Sequence, residues 1–396
     1  MIEKRKIYLD YASATPIDPK VLGVVREVEK FFWQNPSSIH EQGVKSAKML
    51  QKYRENVARV LYAHADEIVF TSGGTEANNL AILGVVKNFK NKKPTILISS
   101  IDHPSTIEPA KSLADVATVK FLPVSDEGRL DLAFLKKELT KKPILVSFGY
   151  VNGEVGTGQD IKEIMKIVRH HRKVNKTQFP YVHIDATQAV SVLSCEVHRL
   201  GIDLMTLDGA KIYGPKGAGM LYVRRGLGLA SIIYGGGQEW GLRPGTENLP
   251  AIAGFSSALL AVQKERERAH RHLLALRNLF IKKVLKIFPD AIINGEKTFR
   301  LGNPGIVNIC FPGIDSEQAV LILDSMGIYV SASSSCQSLA ERSNSYVVSA
   351  LGKDKCALSS LRFSFGKFSK TSEIQTVISN LEKAVAGSKH KHFLLS

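Results

Sequence analysis

Between about residues 65 and 235 the chain alternates short, β-rich apolar runs with stretches whose apolar residues recur at helical spacing. The runs EIVFTS, TILISS, TVKFLPV, ILVSFGY, YVHIDA, LMTLDG and MLYVRR read as strands. Apolar strands alternating with helices predict an α/β fold, a mainly parallel seven-stranded sheet covered by helices on both faces. After residue 255 the pattern changes. KERERAHRHLLALRNLFIKKVLKIF carries Leu273, Leu274, Leu276, Leu279, Phe280 and Val284 at helical spacing, which predicts an amphipathic helix. The strands GIVNICF and IYVSAS follow, then the helix TSEIQTVISNLEKAVAG, together a smaller α/β C-terminal lobe.

With 396 residues, 44% of them hydrophobic, the chain can bury a large core plus a second lobe. The N-terminal MIEKRKIYLDYA has no apolar core of a signal peptide, and no stretch approaches the roughly 20 apolar residues of a membrane span. A cytoplasmic protein with no membrane partner is expected. Cys195, Cys310, Cys336 and Cys356 lie far apart without a CxxC pair, so reduced thiols are expected, with neither a metal site nor a disulfide framework. The net charge of +16 suits an anionic partner. Its densest stretch is the amphipathic helix, however, so direct nucleic-acid binding is not expected.

Ligands of such sheets sit at the carboxyl ends of the strands, and polar segments follow several of them here. FTSGGTEANNLAI places Gly74 and Thr75 between a strand and a helix, where bare N–H groups make an anion site. SSIDHPST places His103, a residue able to move protons near neutrality, after the next strand. YVNGEVGTGQ offers Asn152 as a neutral polar contact, and YVHIDATQAV ends a strand on Asp185, with Gln188 three residues on. Lys211 in DLMTLDGAKIYGPKGAGMLYVRR sits in a rigid Gly/Pro-rich turn between two apolar strands. Partial burial there would lower an amine's pKa and make it nucleophilic. Arg362 in SLRFSFGKFS has hydrophobic neighbours and a guanidinium suited to a carboxylate. Cys336 lies among hydroxyl residues in YVSASSSCQSLAERSNSYV. An exposed, mobile loop over about residues 333 to 345 is predicted, in which a thiolate could act as nucleophile. Buried, inert thiols are expected at Cys310 and, less firmly marked by sequence, at Cys195 and Cys356.

Together with YLDYASATPIDPKV, NPSSIHEQG and GGGQEWGLRPGTEN, these segments resemble cysteine desulfurases of the NifS/IscS type. Those are class-V aminotransferases among the fold-type-I pyridoxal-phosphate enzymes, and the resemblance runs through nearly the whole chain. It implies that Lys211 holds pyridoxal phosphate covalently, Asp185 pairs with its ring nitrogen, His103 stacks on the ring and Gln188 reaches its phenolic oxygen. Gly74 and Thr75 would bind the phosphate, with Asp208 beside it, and Thr246 would reach the partner subunit's phosphate in a homodimer. Asn152 and Arg362 would hold the carboxylate of L-cysteine, with Asn152 also near the cofactor. Cys336 would receive the sulfur, leaving alanine, and pass it to an iron–sulfur scaffold or a tRNA-thiolation protein. The implied domains are residues 16–258, which bind the cofactor, and residues 1–15 with 259–396, which carry the cysteine loop.

Two positions depart from the family pattern. Where many members have Ser-x-His-Lys, this chain has Asp208, Ala210 and Lys211, and an Asp beside a phosphate repels it. Asp208 is therefore expected to point away or to weaken cofactor binding. The cysteine loop has Ser333, Ser334 and Ser335 where a glycine is common, which stiffens it. The alternatives are selenocysteine lyase, another lyase or aminotransferase on the same fold, and a non-catalytic basic scaffold. Substrate preference, tolerance of Cys336→Ala and absence of a yellow chromophore would respectively mark them.

Overall fold

The computed structural model describes residues 6–89, 93–332 and 344–389. All seven predicted strands form one sheet. Its order is Ile68–Thr71, Gly219–Val223, Leu204–Asp208, Tyr181–Asp185, Leu145–Gly149, Thr95–Ser99 and Thr118–Leu122. Only Gly219–Val223 runs antiparallel to its neighbours; the rest pair in parallel. Successive side chains of a strand point to opposite faces, and each face here has its own core. Leu97, Val146, Phe148, Val182, Ile184, Met205 and Leu207 join one cluster, whereas Ile96, Ile98, Leu145, Tyr181 and Leu204 join the other. This two-sided burial is why the strands read as near-continuous apolar runs.

The predicted basic helix is real but begins earlier, spanning Leu249–Ile287 over 39 residues. Its first half buries Leu249, Ile252, Phe255 and Leu259 in the large-sheet core. Its second half buries Leu273, Leu276, Phe280 and Val284 in a separate cluster under a four-stranded sheet. That sheet has the order Ser331–Ala332, Ser360–Ser364, Ile306–Cys310 and Ile292–Asn294, and the closing helix Thr371–Gly387 packs on the same cluster through Ile374, Val377, Ile378 and Leu381. The predicted strand IYVSAS is split: Ile328–Tyr329 pairs with Ile7–Tyr8, while Ser331–Ala332 pairs with Ser360–Ser364.

The cysteine expectation needs correction. Cys310 and Cys356 form a disulfide between residues 46 positions apart, whereas Cys195 is a free, buried thiol. Spacing along the chain could not reveal the pair. The fold brings the two Cα atoms within 5.3 Å, inside the range a disulfide needs. Among the described residues no helix is long and apolar enough to cross a membrane.

Candidate active site

The carboxyl ends of the parallel strands open into one cavity of about 390 Å³. Register aligns those ends, since Gly149 pairs with Asp185 and Asp185 with Thr206. Gly74, Thr75, His103, Asn152, Asp185, Gln188, Asp208, Lys211 and Arg362, drawn from six separate segments, all line the cavity. Thr246 lies outside it and is exposed. Cys336 and most of the predicted mobile loop, with Ser333, Ser334 and Ser335, lie outside the described residues.

One wall is a hydrogen-bonded chain of acid–base groups. Asp185 Oδ1 accepts from the Thr187 amide at 2.9 Å and Oδ2 from Asn78 Nδ2 at 2.8 Å. The same Asn78 nitrogen donates to Ser105 Oγ at 2.8 Å, and Ser105 Oγ lies 2.8 Å from His103 Nδ1. His103 caps the helix Pro104–Lys111, accepting the Ser105 amide on Nδ1 at 3.1 Å. Because an N–H points at Nδ1, the neutral ring carries its proton on Nε2. His103 faces the open cavity, yet desolvation lowers its pKa; the Asp185 charge opposes that shift and Lys211 adds to it. Beside it, burial raises the Asp102 carboxyl to about 8, the Gly149 amide opposing this and Asp185 reinforcing it.

A second wall joins Lys211 to Arg362. Lys211 Nζ donates to the Ser13 carbonyl. Arg362 Nη2 donates to Ser13 Oγ at 2.6 Å, to Asp10 at 2.9 Å and to Ser331 Oγ at 3.1 Å. The anion expected near this buried arginine is thus already present as Asp10, although Arg362 Nε has no partner among the described residues. Asn152 is buried in a turn. Its Oδ1 takes the Glu154 and Val155 amides and its Nδ2 donates to the Ile101 carbonyl. Gln188 donates to the Ala12 carbonyl at 2.8 Å.

At the third side the helix Gly74–Lys87 begins, as the Gly-Gly turn predicted. Its first amide is already taken. Asp208 Oδ2 accepts from the Gly74 N–H at 2.9 Å, while Oδ1 accepts from Ala210 at 2.8 Å and so caps the turn that carries Lys211. The Asp208 carboxylate is thus turned toward the Gly74 turn, not away from it.

Sequence reasoning missed Asn78, Ser105, Asp102, Thr187 and the Asp10–Ser13 segment as parts of this site. Asn78 had a readable signal, because four residues after Gly74 on one helix it shares the face that meets the cavity. Asp10 and Ser13 lie in YLDYASATPIDPKV, a segment that carried the resemblance, but its place beside Arg362 was not readable because it arrives from the far end of the chain.

A family model described as aminotransferase class-V matches residues 7–377. The chain belongs to that family. Among its relatives, cysteine desulfurase IscS of Dictyoglomus turgidum is 36% identical, over 96% of this chain and 95% of its own. Cysteine desulfurase of Homo sapiens is 35% identical over 94% of this chain and 80% of its own. Solved structures agree: a NifS-like protein superposes with a TM-score of 0.88 at 30% identity, covering 97% of this chain and all (100%) of its own. The NifS-like protein from Rickettsia africae gives 0.84 at 29% identity, covering 96% and 100%. This class-V aminotransferase is therefore a fold-type-I, pyridoxal-phosphate-dependent enzyme of the cysteine desulfurase group, as its motifs implied. The ring end of the cavity suits that cofactor. It offers an amine at Lys211, a carboxylate at Asp185, and a buried oxygen, Asn78 Oδ1, with no partner among the described residues. The phosphate end offers the Gly74 amide only if Asp208 yields it.

Proposed function

We propose that this enzyme takes sulfur from L-cysteine onto Cys336, releasing alanine, and hands the sulfur to an acceptor protein. The observation that carries the reading is the convergence of Lys211, Asp185 and His103 on one cavity, in a chain whose relatives are cysteine desulfurases. Pyridoxal phosphate, when bound, supplies an electron sink for the substrate's Cα. Lys211 would hold the cofactor, and its Nζ is the amine placed to take the substrate's Cα proton. Asp185, oriented by Asn78 and the Thr187 amide, pairs with the ring nitrogen. His103 would cover the ring and exchange protons through Nε2, and Gln188 would serve the phenolic oxygen. Thr75 and Gly74 meet the phosphate, while Arg362 and Asn152 position the substrate carboxylate.

Cys336 then attacks the substrate sulfur as a thiolate. An S–S bond forms, the Cβ–S bond breaks, and the carbon keeps the electron pair and is protonated, so no external oxidant is needed. Thr246, exposed outside the cavity, suits a role at the partner's phosphate in a homodimer. The division into two domains is supported by the long helix, whose residues up to Val262 join one core and whose residues from Leu273 onward join another. Acceptors on iron–sulfur scaffolds or in tRNA thiolation both remain compatible with the basic surface.

The test is to incubate the cofactor-loaded enzyme with cysteine and assay alanine and sulfide, with Cys336→Ala alongside. Wild type is expected to form alanine and a persulfide at Cys336 visible by mass spectrometry. Full sulfur transfer by Cys336→Ala would refute the assignment.

A further inference from the structure

We infer that Asp208 is a built-in anion that fills the cofactor's phosphate subsite until phosphate displaces it. The inference rests on the pyridoxal-phosphate reading of the cavity. The N-terminus of the 14-residue helix Gly74–Lys87 presents its first N–H to the cavity, and that N–H is donated to Asp208 Oδ2 at 2.9 Å. A Cβ built on Gly73 or Gly74 would meet the same oxygen at 3.3 and 3.2 Å, so the carboxylate lies directly over the glycine turn.

Thr187 marks the spot independently. Its hydroxyl is buried, has no partner among the described residues, and lies 3.5 Å from the Cβ position of Gly74. A buried, unpaired hydroxyl is costly, so a ligand oxygen belongs beside it. The site is thus built for an anion larger than the one it holds.

A phosphate ester carries a charge of about −1.5 to −2 at neutral pH, and an amide has one hydrogen to give. Phosphate and the Asp208 carboxylate cannot both occupy the Gly74 amide, and their like charges repel. Asp208 must swing off Gly74, yet its other oxygen can stay on Ala210 and keep the Lys211 turn capped. Two consequences follow. The Gly74 amide is already hydrogen-bonded before cofactor arrives, and cofactor binding is weakened by the displacement of an internal competitor.

The experiment compares cofactor-free wild type, Asp208→Ser and Asp208→Asn. Each replacement retains an oxygen to cap Ala210 but removes the charge. Pyridoxal phosphate is titrated by visible absorbance, and inorganic phosphate is added separately while the unfolding temperature is followed. Both variants are expected to bind pyridoxal phosphate about tenfold or more tighter than wild type, the size of one charged hydrogen bond regained. Inorganic phosphate should raise the unfolding temperature of the variants and leave wild type nearly unmoved. Two variants guard against one failing to fold, which far-UV circular dichroism would reveal. Equal or weaker cofactor affinity in folded variants would overturn the inference while leaving the cofactor reading intact. No visible band in any of the three proteins would overturn both.

Discussion

The two ends of the cavity solve the same problem in opposite ways. At the ring end, Asp185, Asn78, Ser105 and His103 form a chain that leaves the buried Asn78 Oδ1 without a partner among the described residues. At the phosphate end, Asp208 satisfies the helix terminus from within. An enzyme site is ordinarily assembled so that its ligand completes the hydrogen bonding, which the ring end illustrates. The phosphate end shows that one substituted residue at a strand terminus can complete it instead, and makes the ligand a competitor.

Asn78→Ala gives the largest effect expected at the ring end. It removes the side-chain donor to Asp185 and breaks the link to Ser105, and turnover of the loaded enzyme should fall about ten- to a hundredfold. Cofactor affinity measured by absorbance should change far less, because the phosphate end is untouched. Equal losses in affinity and turnover would erase the functional distinction between the ends.

A smaller effect is expected from Asp102, behind the ring end. Its folded-state pKa of about 8 lies above the unfolded value near 3.8, so the folded protein holds a proton that the unfolded chain has released. The contribution of this residue to stability is therefore fully present at low pH. It declines as pH rises between those values, by at most about 1.4 kcal/mol per pH unit. Asp102→Asn should flatten that decline in denaturant melts between pH 5 and 8. An unchanged slope would show that Asp102 ionises as freely folded as unfolded.

The large sheet was legible because burial on two faces writes apolar runs into the sequence. Lys211, Asp185 and His103 were legible because each directly follows such a run. Less local features were not. The partner of Cys310 stands 46 residues away, and Arg362 meets Asp10 from the opposite end of the chain. The orientation of Asp208 depends on the glycine turn after Ile68–Thr71, two strands away in the sheet, so sequence could raise the conflict with phosphate but not say which atom the carboxylate occupies. The extra length of the helix Leu249–Ile287 was hidden because its first half is apolar on most sides, serving the core rather than one amphipathic face.

The central claim, that this cavity binds pyridoxal phosphate through Lys211, is tested most directly by borohydride reduction of the cofactor-loaded protein followed by peptide mapping. The account predicts a pyridoxyl group on Lys211, absent from Lys211→Ala together with the yellow colour. Attachment at a different lysine, or an unmodified Lys211 in a fully loaded protein, would contradict it.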